Sequence, residues 1–148
     1  MCIAAITLTY TEETNPRTPP EALRNLDHFT DRMIQACKQQ KRPRYKYIAI
    51  TEDIPGKEVD GGPMYHHTLF SNEDFTQEMA EKCWRAGLAK KAEPLGEVMV
   101  RLFSAEKSEP QLVLGYCRRP DILDIRFSRP PLFPKEKEMA YAEFRDDR

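Results

Sequence analysis

The order in which two apolar periodicities follow one another most constrains what this chain can fold into. Ile3 to Tyr10 (IAAITLTY) is rich in β-branched residues and ends on an aromatic, the composition of a buried strand. TEETNPRTPP breaks that run and ends in a helix start signal. Thr18 is placed to cap, Pro19 and Pro20 suit the first turn, and Glu21 follows Thr18 by three as in a capping box. Leu23, Leu26, Phe29, Met33 and Cys37 then recur at threes and fours, one apolar stripe of an amphipathic helix. The period returns to two in Tyr45–Thr51 (YKYIAIT), a second strand with Glu52 at its end. The Gly- and Pro-bearing loop DIPGKEVDGGP leads, as a hairpin-like excursion, to a third strand, Met64–Phe70 (MYHHTLF). From Ser71 the pattern is helical again. Ser71 or Asn72 caps, Glu73 and Asp74 lie in the first turn, and Phe75, Met79 and Cys83 form a stripe beside Trp84 before Gly87 stops the helix. Glu97–Phe103 (EVMVRLF) alternates as a fourth strand.

The order β-α-β-β-α-β predicts an α+β, ferredoxin-like fold: an antiparallel sheet with the helices on one face. Beyond it, Gln111–Arg119 (QLVLGYCRR) reads as a short helix ended by Pro120, and IRFSRPPLFP as an extended, Pro-rich stretch. The expected division is one domain over residues 1–134 and a charged tail over 135–148. A length of 148 residues suits a single core. No apolar run approaches the roughly 18 residues of a membrane-spanning helix. The N-terminus lacks the basic flank of a signal peptide, and Cys2, Cys37, Cys83 and Cys117 form no C-x-x-C pair. The expectation is a cytoplasmic protein with reduced thiols and no membrane partner. With 23 basic against 24 acidic side chains, the chain is not a protein that coats long duplexes. A local basic site remains open to it. Lys38, Lys41, Arg42, Arg44 and Lys46 form the most basic stretch, either a solvated helix end that complements the helix dipole or a set of phosphate contacts.

The densest chemistry is Tyr65-His66-His67 on the third strand. Neighbours on a strand face opposite ways, so 65 and 67 share a face and 66 points away. Pairing of strands two and three is expected to bring Glu52 beside the 65/67 face. A carboxylate with an imidazole is a donor set for Mn²⁺ or Mg²⁺. The plainer reading of the same residues is a half-buried strand with one surface histidine. Tyr10, Tyr45 and Tyr47 flank strands, where aromatics either stack on bases or pack the core.

Taken in order, several segments resemble the replication initiator proteins of rolling-circle plasmids and phages, in the HUH endonuclease superfamily. TLTY with its TNP loop is similar to the first-strand motif, and RYKYIAITE to the second strand ending on glutamate. GGPMYHHTLF is similar to the glycine-led metal-binding strand. FTQEMAEKCWRAGLAKKAEPL resembles the helix with its Trp and following Gly, and LVLGYCRRP the segment of the catalytic tyrosine. RFSRPPLFP resembles the closing Ser-containing extension. The resemblance implies an HUH endonuclease-type sheet and binding of single-stranded DNA. It also implies a divalent metal, Mn²⁺ or Mg²⁺, and a tyrosine nucleophile that is left as a 5′-phosphotyrosine. Carried onto this chain, Tyr116 is the nucleophile and Arg119 the basic residue near the phosphate. Glu52 and His67 are metal ligands, with His66 or Tyr65 as the third. Lys41, Arg42, Arg44 and Lys46 are the nucleic-acid-binding candidates. A phenol of pKa about 10 needs a nearby cation to act at neutral pH, and a metal offsets charge on the phosphate.

Two departures stand out. Alignment on the preceding glycine puts Tyr65 where a ligand histidine belongs, and Arg119 stands where lysine is usual. Three functions follow. One is a nicking and strand-transfer enzyme with an altered metal site, working with a host replication helicase. Another is a descendant that binds nucleic acid without cleaving it, as a regulator or as a phage or plasmid counter-defence protein that blocks a host nuclease. The last is an unrelated ferredoxin-like domain that binds RNA or a protein.

Overall fold

The computed structural model describes residues 2–72, 77–87, 92–104 and 122–132. They form an α+β unit built from β1 (Cys2–Thr9), α1 (Pro19–Gln39), β2 (Tyr47–Val59), β3 (Gly62–Ser71), α2 (Gln77–Cys83), β4 (Val98–Ser104) and β5 (Ile122–Phe127). The strands make one antiparallel sheet in the order β4-β1-β3-β2-β5. The predicted helix at 111–119 and the charged tail at 135–148 lie outside the described residues.

Helix α1 starts where its capping residues place it. Thr18 is extended, its hydroxyl accepts from the Glu21 N–H at 3.4 Å, and Pro19 and Pro20 open the first turn. The Glu21 carboxylate reaches back to the Arg17 N–H at 3.0 Å, one residue beyond the usual capping-box partner, the N-cap. The helix buries Ala22, Leu26, Phe29, Met33 and Cys37 against the sheet. It ends in a Schellman motif: Lys41 N–H bonds to Lys38 O at 3.2 Å and Arg42 N–H to Cys37 O at 2.9 Å. Lys41 takes the left-handed position, with φ 54°, that glycine usually fills.

The loop read between strands two and three is instead a continuation of both. β2 and β3 run on to a two-residue turn at Asp60-Gly61, both at positive φ (53° and 79°). Asp-Gly suits such a turn, because its twist matches that of the strands it joins. The ladder is not continuous. Residues 54–57 of β2 stand against the single Met64 of β3, with Gly56 at φ 75° inside the bulge. The stretch read as merely extended supplies β5, which pairs with the outer side of β2. Ser128 continues that pairing: its N–H donates to Tyr47 O at 3.0 Å, and its Oγ accepts from Tyr47 N–H at 2.8 Å.

Among the described residues the second helix runs from Gln77 to Cys83, so its end comes before the Gly87 that the periodicity suggests. Arg85 and Pro94 then form an isolated bridge. Both helices pack on the same sheet face, over Ile6, Leu8, Tyr65, Leu69 and Val98, with Trp84 buried among them. The opposite face carries its own apolar group, Ile3, Ile48, Ile50, Phe70 and Ile125. Two side-chain amides extend the sheet. Asn15 accepts from Tyr65 N–H and donates to Pro63 O, each at 3.0 Å, where β1 has already ended. Gln77 holds the outer edge of β4: its Nε2 donates to Val98 O and its Oε1 accepts from Val100 N–H.

Candidate functional site

The bulge in β2 decides which side chains meet. An unbroken ladder from the Asp60-Gly61 turn would set Glu52 opposite Leu69, on the face of His67. The extra residues of β2 shift it by an odd number, and Glu52 stands opposite His66. Placement of Glu52 beside the 65/67 face is therefore corrected: it lies with His66 on the face opposite α1 and α2, and His66 Nε2 lies 3.0 Å from Glu52 Oε1. The Glu52 side chain is 3% exposed and that of His66 17%, so the imidazole is the more accessible of the two.

His67 and Tyr65 share the other face, as strand parity predicts, and both are buried beneath the helices. His67 Nε2 lies 2.7 Å from Tyr10 Oη and Nδ1 lies 2.7 Å from Thr51 Oγ1. Burial, with smaller contributions from His66 and Arg126, lowers the His67 pKa to about 3. A neutral imidazole carries one N–H, so it donates to one hydroxyl and accepts from the other. Both nitrogens are thus used within the core. Trp84 closes the group, with ring centroids 5.6 Å from His67 and 5.1 Å from Tyr10, and its indole N–H donates to Thr9 O at 2.8 Å. Burial also raises the Tyr10 pKa, against a hydrogen bond from Asn25.

The sheet thus divides the expected ligand set. Glu52 with His66 lies on one side, and His67 with Tyr65 on the other. Among the described residues no three His, Cys, Asp or Glu side chains gather in a way that holds a metal ion. The described residues do not fit the three-donor set that the resemblance implies, because His67 spends both nitrogens on hydroxyls. Tyr116 and Arg119 lie outside the described residues. Tyr10 and Thr51, the partners that fix His67, carried no signal beyond strand alternation.

Lys41, Arg42, Arg44 and Lys46 come together in the α1–β2 connection, at the far end of β2 from Glu52. The five strand steps from Tyr47 to Glu52 separate the two places by roughly 17 Å. Asn72 fixes the connection, donating to Arg44 O at 3.0 Å and accepting from Lys46 N–H at 2.9 Å. Ile34, Cys37, Lys38, Arg42 and Arg44 line a cleft of about 320 Å³ there. No described helix is long and apolar enough to cross a membrane. Comparison with protein-family models, curated proteins and solved structures found no match.

Proposed function

We propose that the chain is a single-strand nucleic-acid-binding domain of ferredoxin-like, HUH endonuclease-type build that does not cleave its ligand by a metal-assisted route. The order β4-β1-β3-β2, with both helices on one face, supports the fold reading. One observation carries the functional reading: His67, the histidine that matches a ligand position, is buried in the core and hydrogen-bonded at both nitrogens. A metal site needs at least one of those nitrogens free and facing a substrate. The strand-binding part of the reading rests on the basic connection after α1, held in place by Asn72. A regulator, or a protein that restrains a host nuclease, is the class of activity open to such a domain.

A nicking enzyme is the second reading, favoured by the adjacency of Glu52 and His66 on the face opposite α1 and α2. A pool of fluorescent single-stranded oligonucleotides, incubated with Mn²⁺, Mg²⁺ or EDTA and run on a native gel and on a denaturing gel, separates the two. The expected result is retention of DNA on a native gel, unchanged by EDTA, with no covalent adduct. A metal-dependent adduct that disappears in Tyr116→Phe overturns the proposal in favour of nicking. In that case His66→Ala abolishes the adduct and His67→Gln spares it.

A further inference from the structure

Lys41 occupies a backbone position that favours glycine. It is the first residue beyond the α1 cap, at φ 54°, and the surrounding hydrogen bonds form a complete Schellman motif. A lysine there is strained relative to glycine, and it adds a cation to the end of α1. Its neighbours are of one kind. Five of the chain's 23 basic side chains fall between residues 38 and 46. Lys38, Arg42 and Arg44 line a cleft together with two apolar residues, the half-buried Ile34 and the buried Cys37. Complementing the helix dipole accounts for one or two cations in the last turn of α1. It does not account for Arg44, beyond the helix, or for the apolar residues.

We infer that this cleft holds one nucleotide unit of a single strand, with its base against Ile34 and its phosphate against Lys38, Arg42 and Arg44, and with Lys41 next to them along the chain. This rests on the strand-binding reading above and gives that reading a location away from Glu52 and His66. The volume, about 320 Å³, lies at the small end of ligand sites. Arginine suits the role, since its planar group grips phosphate through two donors. Asn72 fixes the backbone at Arg44 and Lys46 before any ligand arrives, which lowers the ordering cost of binding. The shared chemistry is a nucleoside phosphate, whether in DNA or RNA.

Fluorescence anisotropy with labelled T12 DNA and U12 RNA tests this across a salt series, on the full chain and on Lys41→Gly, Arg44→Gln and their combination. Lys41→Gly is the informative variant, because it removes a charge while relieving the backbone. Its melting temperature is expected to rise by about 2–4 °C while its affinity for either strand falls several-fold. Each lost phosphate contact lowers the salt slope by about 0.7. Thymidine monophosphate is expected to displace the probe at lower concentration than inorganic phosphate, since only the nucleotide uses Ile34. If the unmodified chain binds and both variants bind as well as it does, the cleft assignment fails alone. Equal displacement by phosphate overturns the nucleotide assignment. If the unmodified chain binds neither strand, the strand-binding reading fails with it.

Discussion

At the scale of single residues, the core histidine is the most consequential position. His67 is neutral when folded, with its pKa lowered from 6.5 to about 3 by burial. The unfolded chain takes up a proton at this residue below about pH 6.5, and the folded chain does not. Its contribution to stability is therefore complete above pH 6.5 and falls toward pH 3, at about 1.4 kcal/mol per pH unit. Chemical denaturation at pH 7, 5.5 and 4 is expected to show this slope, and His67→Gln to flatten it. Thr51→Val leaves one ring nitrogen without its partner and is expected to cost about 1–3 kcal/mol, read from the same curves. The parity of this strand was legible: 65 and 67 share a face and 66 does not. The hydroxyls at Tyr10 and Thr51 were not legible as its partners. Nothing in a period-two pattern says which residues of neighbouring strands meet.

Elements explain why the pair at Glu52 went to the other histidine. Strand periodicity in YIAITE and MYHHTLF fixes the faces of each strand separately. Their alignment depends on the turn and on every bulge between, and DIPGKEVDGG conceals both an Asp-Gly turn and a bulge. By contrast α1 was legible from end to start, because Thr18, the prolines and the stripe to Cys37 are local signals. Two glycines distinguish backbone strain from crowding. Gly56 has open space around a hypothetical Cβ but a φ of 75°, so Gly56→Ala is expected to cost about 1 kcal/mol, all of it conformational. At Gly96 a Cβ would sit 2.9 Å from the Tyr10 Cα and collide with the Thr9 carbonyl. Gly96→Ala therefore pushes β1 away from the start of β4, at a cost of about 1–3 kcal/mol. Thermal melts of both variants check the ranking. Because Tyr10 moves with that backbone, Gly96→Ala is also expected to perturb the His67 imidazole resonances, and Gly56→Ala to leave them in place.

For the whole molecule, the sheet is a wall with apolar packing on both sides. The run IAAI, apolar at consecutive positions, agrees with this, whereas YKYIAIT reads as alternating and gives no sign of the second packed face. Interleaved polar residues would have left one face wet. The fifth strand was hidden because ILDIRF is flanked by prolines and follows a charged stretch, so its composition resembles a linker. Only the open side of β2 gives it a place. The opposite border is finished by different means. Gln77 bonds the outward-facing C=O of Val98 and N–H of Val100 through one carboxamide, the same functional group as a peptide bond. A side chain thus imitates a neighbouring strand, and a real strand can compete for the same two groups. Beside it Met99 and Leu102 are 53% and 51% exposed, an apolar margin such a competitor would cover. Gln77→Ala is expected to make the protein self-associate with rising concentration in light scattering, while its helices remain intact by circular dichroism. The number of copies that travel together then depends on whether one amide stays seated, a lock on assembly that any extended peptide could pick.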